Sequence, residues 1–268
     1  MTIAIMNMLQ RATLRKVARD AGFDVLDDVP EALVCRSSHA PLVCGAWVSQ
    51  ASGLMVSLSM PSVVATLGVA HAAASPASIP AGLPPMAAVF SIADAPALEQ
   101  FLNQAWNLSR ALPNALEQRF EKAMQEIGTT EREATVKQRV GQGLFREGLM
   151  TLWGGRCAIT GLDVPEMLRA SHAKPWADST DAERLDVFNG LLLAAHWDAA
   201  FDAGLVTVEA NGTLKTSPRL PANALQILGG ATSFAAITIK LHPQHAPYLE
   251  WHRSEIFKSG AELWVVLG

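Results

Sequence analysis

The sequence predicts an α+β chain, with an N-terminal mixed α/β domain followed by a C-terminal domain of short strands with flanking helices. Three observations carry this reading. In several long segments apolar residues recur every three or four positions, the period of a helix with one buried face. Elsewhere short apolar runs are bounded by Ser, Pro and Gly, as strands are. From Trp153 onward, polar residues break the apolar pattern where a plain core element would not place them.

Taken in order, Ala4 to Ala21 reads as a helix, since Met8, Leu9, Ala12, Val17 and Ala21 can share a face. Ala32–Cys35, Val43–Ser49 and Gly53–Leu58 read as strands, with a hairpin turn at Gln50–Gly53. Residues 72–88 hold Pro76, Pro80, Pro84 and Pro85 among Ala, Ser and Gly, the composition of a loop or linker. Ala95 to Leu112 is helical, with Leu98, Phe101, Leu102, Ala105 and Leu108 in one stripe and Pro96 near its start. A second helix covers Ala115–Ile127. Thr129 and Thr130 with Glu133 then resemble the cap of a helix running from about Glu131 to Trp153. The domain boundary is placed near residue 128, giving domains 1–128 and 129–268, the second with its core at about 153–208.

Composition narrows the function classes. Half of the 268 residues are hydrophobic and 17% are charged, an ordinary globular balance with enough chain for a sizeable core. A net charge of −4 argues against coating nucleic acid by bulk charge, though one face can still be basic. Cys35, Cys44 and Cys157 show no C-x-x-C spacing, which excludes a four-cysteine zinc site and fits free thiols in a reducing compartment. Arg11, Arg15, Lys16 and Arg19 follow the first apolar stretch rather than precede it, unlike a signal peptide. No apolar run reaches the length of a membrane span. The expectation is a cytoplasmic protein without a membrane partner.

The chemistry lies in the second half. Arg156–Gly161 reads as a short strand entering a turn, and Leu168–Trp176 as a second strand. A charged loop with Asp178, Asp181, Glu183, Arg184 and Asp186 follows. Asn189-Gly190 then opens an apolar run that leads to His196, Asp198 and Asp202. On a helix, Asp198 and Asp202 lie one turn apart, and carboxylates so placed repel unless a cation sits between them. Phosphodiester hydrolysis asks for these groups. A neutral imidazole can deprotonate water, a divalent ion can stabilise the leaving oxygen, and an asparagine can orient a histidine without titrating.

Arg139-Val140-Gly141-Gln142 with Phe145-Arg146, Trp153, Gly155–Gly161, Leu168–His172 with Lys174-Pro175-Trp176, Glu183–Asp186, Asn189-Gly190-Leu191 and His196–Gly204 occur in order. Together they resemble the HNH endonuclease family and are most similar to its bacterial restriction-endonuclease branch. The resemblance implies a ββα-metal finger, two strands and a helix around one divalent ion, with Mg2+ first and Mn2+, Ni2+ or Zn2+ as alternatives. It implies His172 as general base and Asn189 as the residue orienting it. The third family position falls on Asp198 by spacing and on His196 by residue type, so both stay open, His196 as a catalytic or a metal-binding group. Asp202 matches a further ligand, and Arg169 and Lys174 become phosphate contacts.

The implied activity is metal-dependent cleavage of double-stranded DNA in restriction or defence. Residues 1–128 would serve as a DNA reader or an oligomerisation domain, and two protomers would make a double-strand cut. Ser171 and Ala173, at positions where the family favours a ligand and a bulky residue, keep open a non-cutting nucleic-acid binder; a DNase toxin is a third reading. Outside this segment, Cys157 reads as a buried small hydrophobe and His242, His245 and His252 as structural. Leu205–Val208 and Leu214–Thr216 read as a hairpin around Asn211-Gly212, Ile237–Leu241 as a strand, and His245–Lys258 as a closing helix.

Overall fold

The computed structural model describes residues 5–49, 53–67, 73–74, 79–124, 131–229 and 237–260. The chain divides into two compact units, Met1–Ala115 and Leu116–Gly268.

The first unit opens with α1 (Met8–Asp20). Asn7 caps it reciprocally: its side chain accepts from the Gln10 backbone at 2.8 Å, and its own N–H donates to the Gln10 side chain at 2.9 Å. The strands β1 (Val25–Asp28), β2 (Leu33–Arg36), β3 (Cys44–Ser49) and β4 (Gly53–Leu58) follow, then α2 (Pro61–Leu67), β5 (Ala73–Ala74) and β6 (Ala88–Ile92). They form one antiparallel sheet in the order β1-β2-β3-β4-β6-β5. The helix α3 (Ala95–Ala111), capped by Asp94, buries Leu98, Phe101, Leu102, Ala105 and Leu108, the stripe read from the sequence. It packs against α1 and β6.

Four elements here, β1, α2, β5 and β6, escaped the sequence reading. The mostly exposed edge strand β1 shows no alternation to detect. α2 is a helix of only seven residues. The sheet reaches into the proline-rich stretch, where β5 pairs with β6. The Gln50–Gly53 turn lies outside the described residues, although Ser49 pairs with Gly53 across it.

The second unit begins within α4 (Pro113–Met124). The division falls ahead of residue 128 because α4 is tied to α5 (Glu131–Leu152): Arg119 pairs with Glu147 at 2.7 Å, and the Lys137 ammonium sits over the Phe120 ring. The Thr129–Thr130 cap lies outside the described residues. After α5 come β7 (Leu168–His172), α6 (Asp181–Leu185), β8 (Gly190–Ala194), α7 (Ala195–Asp202), β9 (Val206–Val208), β10 (Leu214–Thr216), α8 (Ala222–Gly229) and α9 (Ala246–Trp251). A π-helical turn at His252–Ile256 continues α9.

Several expectations change here. Arg156–Gly161 is a turn rather than a strand, because Gly154, Gly155 and Gly161 take positive φ and curl the chain. Cys157 is buried as expected, but its sulfur also accepts from the N–H groups of Ala194 at 3.2 Å and Thr160 at 3.4 Å. The second strand stops at His172, well before Trp176. The β9–β10 hairpin forms as read, whereas Ile237–Leu241 yields a single bridge, Thr238 to Thr213. Among the described residues no helix is long and apolar enough to cross a membrane.

Candidate active site

β7 and β8 pair antiparallel from Leu168↔Ala194 to His172↔Gly190, and α7 leaves the end of β8 directly and packs on β7. Glycine at 190 permits this closeness. A Cβ there would stand 2.6 Å from the Ser171 carbonyl oxygen and 2.5 Å from the Phe145 ring. Neighbouring residues on a strand point to opposite faces, so Ser171 and His172 serve different neighbours.

Ser171 is buried and turns toward α7, where its hydroxyl lies 3.2 Å from an oxygen of Asp202 and also hydrogen-bonds Asp198. Both carboxyls are pushed above the usual carboxylate range. Burial is the main cause in each; the neighbouring Asp198 charge adds to it at Asp202, while nearby Arg169 partly offsets it at Asp198. This corner of the finger is therefore rich in oxygen and short of positive charge.

His172 turns the other way. Its ring is stacked on Phe145, and it meets Trp176 edge-on with centroids 5.9 Å apart. Its Nε2 lies 3.1 Å from the Arg184 carbonyl oxygen. A carbonyl can only accept, so Nε2 carries the proton and donates. That leaves Nδ1 as a bare lone pair, with no hydrogen-bond partner among the described residues. Burial pulls the imidazole pKa down to about 4, so the ring is neutral at pH 7.

Asn189 is fully buried beneath the connection between the strands. Its Oδ1 accepts from the Lys174 N–H at 2.8 Å. Its Nδ2 reaches the carbonyls of Lys174 at 3.2 Å and Glu183 at 2.9 Å and the Ser179 hydroxyl at 3.3 Å. The hydrogen bonds thus run to the loop rather than to the His172 ring. The carbonyl that orients His172 belongs to the residue after Glu183, so Asn189 acts on the ring through the loop backbone.

The remaining sequence candidates are placed as follows. The Lys174 ammonium is held by both oxygens of Glu183 at 2.8 Å, and this cation keeps Glu183 below the usual carboxylate range. Arg169 is exposed and donates to the carbonyls of Glu166 and Leu168. His196 is exposed and sits two residues before Asp198, roughly 160° around α7, so the helix does not bring it to the carboxylate pair. His252 is structural in its contacts: it is stacked on Phe201 and hydrogen-bonded to Thr207 and the Phe201 carbonyl.

A cleft of about 400 Å³ opens over this unit, lined among others by Gln142, Ser171, His172, Trp176, Asp202 and His252. Among the described residues no group of three or more His, Cys, Asp or Glu is placed to hold a metal. What the site offers is the Asp198–Asp202 pair with the Ser171 hydroxyl as a third oxygen.

Residues 157–209 match the family model described as HNH endonuclease. The match runs from the sulfur-pinned turn at Cys157 through both strands, the connecting loop and α7 into the hairpin. This segment is similar to HNH endonuclease domains, and the match covers about a fifth of the chain. No curated protein matches the chain.

Several contacts that support the matched segment were not readable from residue types and spacing, even where the residue itself was part of the resemblance. Phe145 lies far from His172 in sequence, and nothing in the spacing marks their stack. The Arg184 carbonyl is a backbone group, invisible to residue-type reasoning. Tyr248, the chain's single tyrosine, donates to Asp186 at 2.9 Å and braces the loop from α9. Its rarity was the one available signal.

Proposed function

We propose that the matched segment is a metal-dependent DNA endonuclease domain in which His172 is the general base. One observation carries this reading: a neutral imidazole whose Nε2 is committed to the Arg184 carbonyl, leaving Nδ1 without a partner among the described residues, on a residue that lines a cleft with Ser171 and Asp202. In this reading Nδ1 accepts a proton from water as the water oxygen attacks phosphorus. The bond from phosphorus to the leaving oxygen breaks, and that oxygen takes a proton from solvent. The stack on Phe145 keeps the ring from turning.

The residues fit a hard divalent ion. Asp198, Asp202 and Ser171 present only oxygen, and both carboxyls are raised where positive charge is lacking. Such a donor set suits Mg2+ or Mn2+ better than Zn2+. When bound there, a divalent ion supplies positive charge to the leaving oxygen. Asp198 takes the role left open between it and His196, and Arg169 is the phosphate contact of the pair named from sequence, since Lys174 is committed to Glu183. The sequence resemblance favours restriction or defence as the setting.

The test is a supercoiled-plasmid nicking assay after chelation and readdition of Mg2+, Mn2+, Ni2+ or Zn2+. Nicking that requires the added ion supports the reading; none with any ion removes it. A second reading, a domain that binds nucleic acid without cutting, draws on the thin ligand set, two carboxylates and a hydroxyl. Duplex binding without nicking is its signature.

A further inference from the structure

The helix α5 lies outside the matched segment, yet its residues shape the site. Gly141 lets Trp176 lie against the helix, since a Cβ there would stand 2.5 Å from the indole ring. Phe145 backs His172. Arg146 donates to the carbonyls of Leu168 at 2.7 Å and Pro165 at 2.8 Å, holding the start of β7. Each of these three has a structural partner.

Gln142 does not. It is exposed, lines the same cleft as Ser171, His172 and Asp202, and its carboxamide has no hydrogen-bond partner among the described residues. It lies three residues before Phe145, on the helix face turned to the site. A carboxamide offers two N–H donors and no charge. In a cleft that Asp202 also lines, a lysine or arginine would be drawn into an ion pair. Lys174 and Arg184 show this nearby, held by Glu183 and Asp181 at 2.8 and 2.7 Å. A neutral donor stays available for a ligand.

We propose that Gln142 is a substrate-binding residue that donates an amide N–H to a non-bridging phosphate oxygen of DNA in this cleft. The proposal rests on the nuclease reading above and extends the working surface beyond the matched segment.

The test uses the full chain carrying His172→Ala, so that DNA is not consumed, and follows a fluorescent duplex by anisotropy at several salt concentrations. Adding Gln142→Ala is expected to weaken binding about tenfold, the loss of one hydrogen bond to a charged group. The slope of log affinity against log salt should stay the same, because no charge is removed. Adding Gln142→Lys instead is expected to leave affinity near that of the alanine variant and the slope unchanged, because the ammonium pairs with a carboxylate of the cleft rather than with phosphate. Melting temperatures within about 1 °C of one another, less than the shift of a 1 kcal/mol change, show that the fold is intact.

Equal affinity and equal slope in all three proteins would overturn the assignment. The two readings fail separately. Plasmid nicking by the otherwise wild-type chain that is indifferent to Gln142→Ala, together with unchanged binding, removes Gln142 alone. Gln142-dependent binding without nicking in any metal removes the nuclease reading and keeps Gln142 as a DNA contact.

Discussion

The imidazole of His172 lies flat on the ring of Phe145, with centroids 3.7 Å apart and planes 10° from parallel. The contact joins α5 to the end of β7. It holds the ring at the angle at which Nε2 meets the Arg184 carbonyl, and it contributes to the burial that keeps the imidazole neutral.

Phe145→Ala should therefore cost about 3–5 kcal/mol of stability, as the loss of a buried aromatic ring does. Phe145→Leu should cost less and leave a folded protein in which the ring is no longer held flat. Urea unfolding measures the first effect and plasmid nicking the second. Loss of nicking by the folded leucine variant is the expected result.

Asn189 makes a second test of how the ring is positioned. Removing its side chain leaves the Lys174 N–H and the Glu183 carbonyl without their partner, and each buried unsatisfied group costs about 1–3 kcal/mol. Asn189→Ala should lower the urea midpoint strongly. Asn189→Asp should be destabilised most at high pH, where a buried carboxylate faces the Lys174 and Glu183 carbonyls, and should recover as acid protonates it.

The placement of the candidate residues was largely legible in the sequence, and the limits have physical causes. The residues named in advance, His172, Asn189, Asp198 and Asp202, all fall within the strand–loop–strand–helix unit, because their spacing follows the pairing of β7 with β8 and the turn of α7. The fate of Lys174 was not legible. Its partner Glu183 lies nine residues on, and only the folded loop brings the two charges together. Nor was the route from Asn189 to His172, which runs through a backbone carbonyl. The turn at 156–161 was misread because three glycines override the apolar pattern around Cys157. In the first unit the long stripe of α3 was plain, while the exposed edge strand β1 had no apolar face to show.

Asp198 and Asp202 should respond oppositely with and without metal. Their folded pKa values are raised, so ionising them at neutral pH costs stability; the cost shrinks as pH falls through those values and is gone below the ordinary aspartate value of 3.8. Asp198→Asn and Asp202→Asn should each raise the melting temperature of the metal-free protein at pH 7. Adding Mg2+ or Mn2+ should stabilise the wild type and leave both variants nearly unmoved. Differential scanning fluorimetry with and without chelator reads both effects.

Three buried histidines set a separate dependence on acid. His172, His245 and His252 are each held by burial at a pKa of about 4, against 6.5 for the free side chain. Between these values the unfolded chain binds more protons than the folded one, so stability falls as pH drops from 6.5 toward 4. The melting temperature should be level above about pH 7 and decline steadily through that window. His252→Gln should lower the whole curve and flatten its acid slope.

The central claim is that His172 activates water. Single-turnover nicking of supercoiled plasmid by the wild type and by His172→Ala, at saturating Mg2+ or Mn2+ and pH 7.5, tests it most directly. The account predicts a rate lower by about 10²–10⁴-fold in the variant, the range for loss of a general base, with the fold retained by circular dichroism. Equal rates in the two proteins would contradict it.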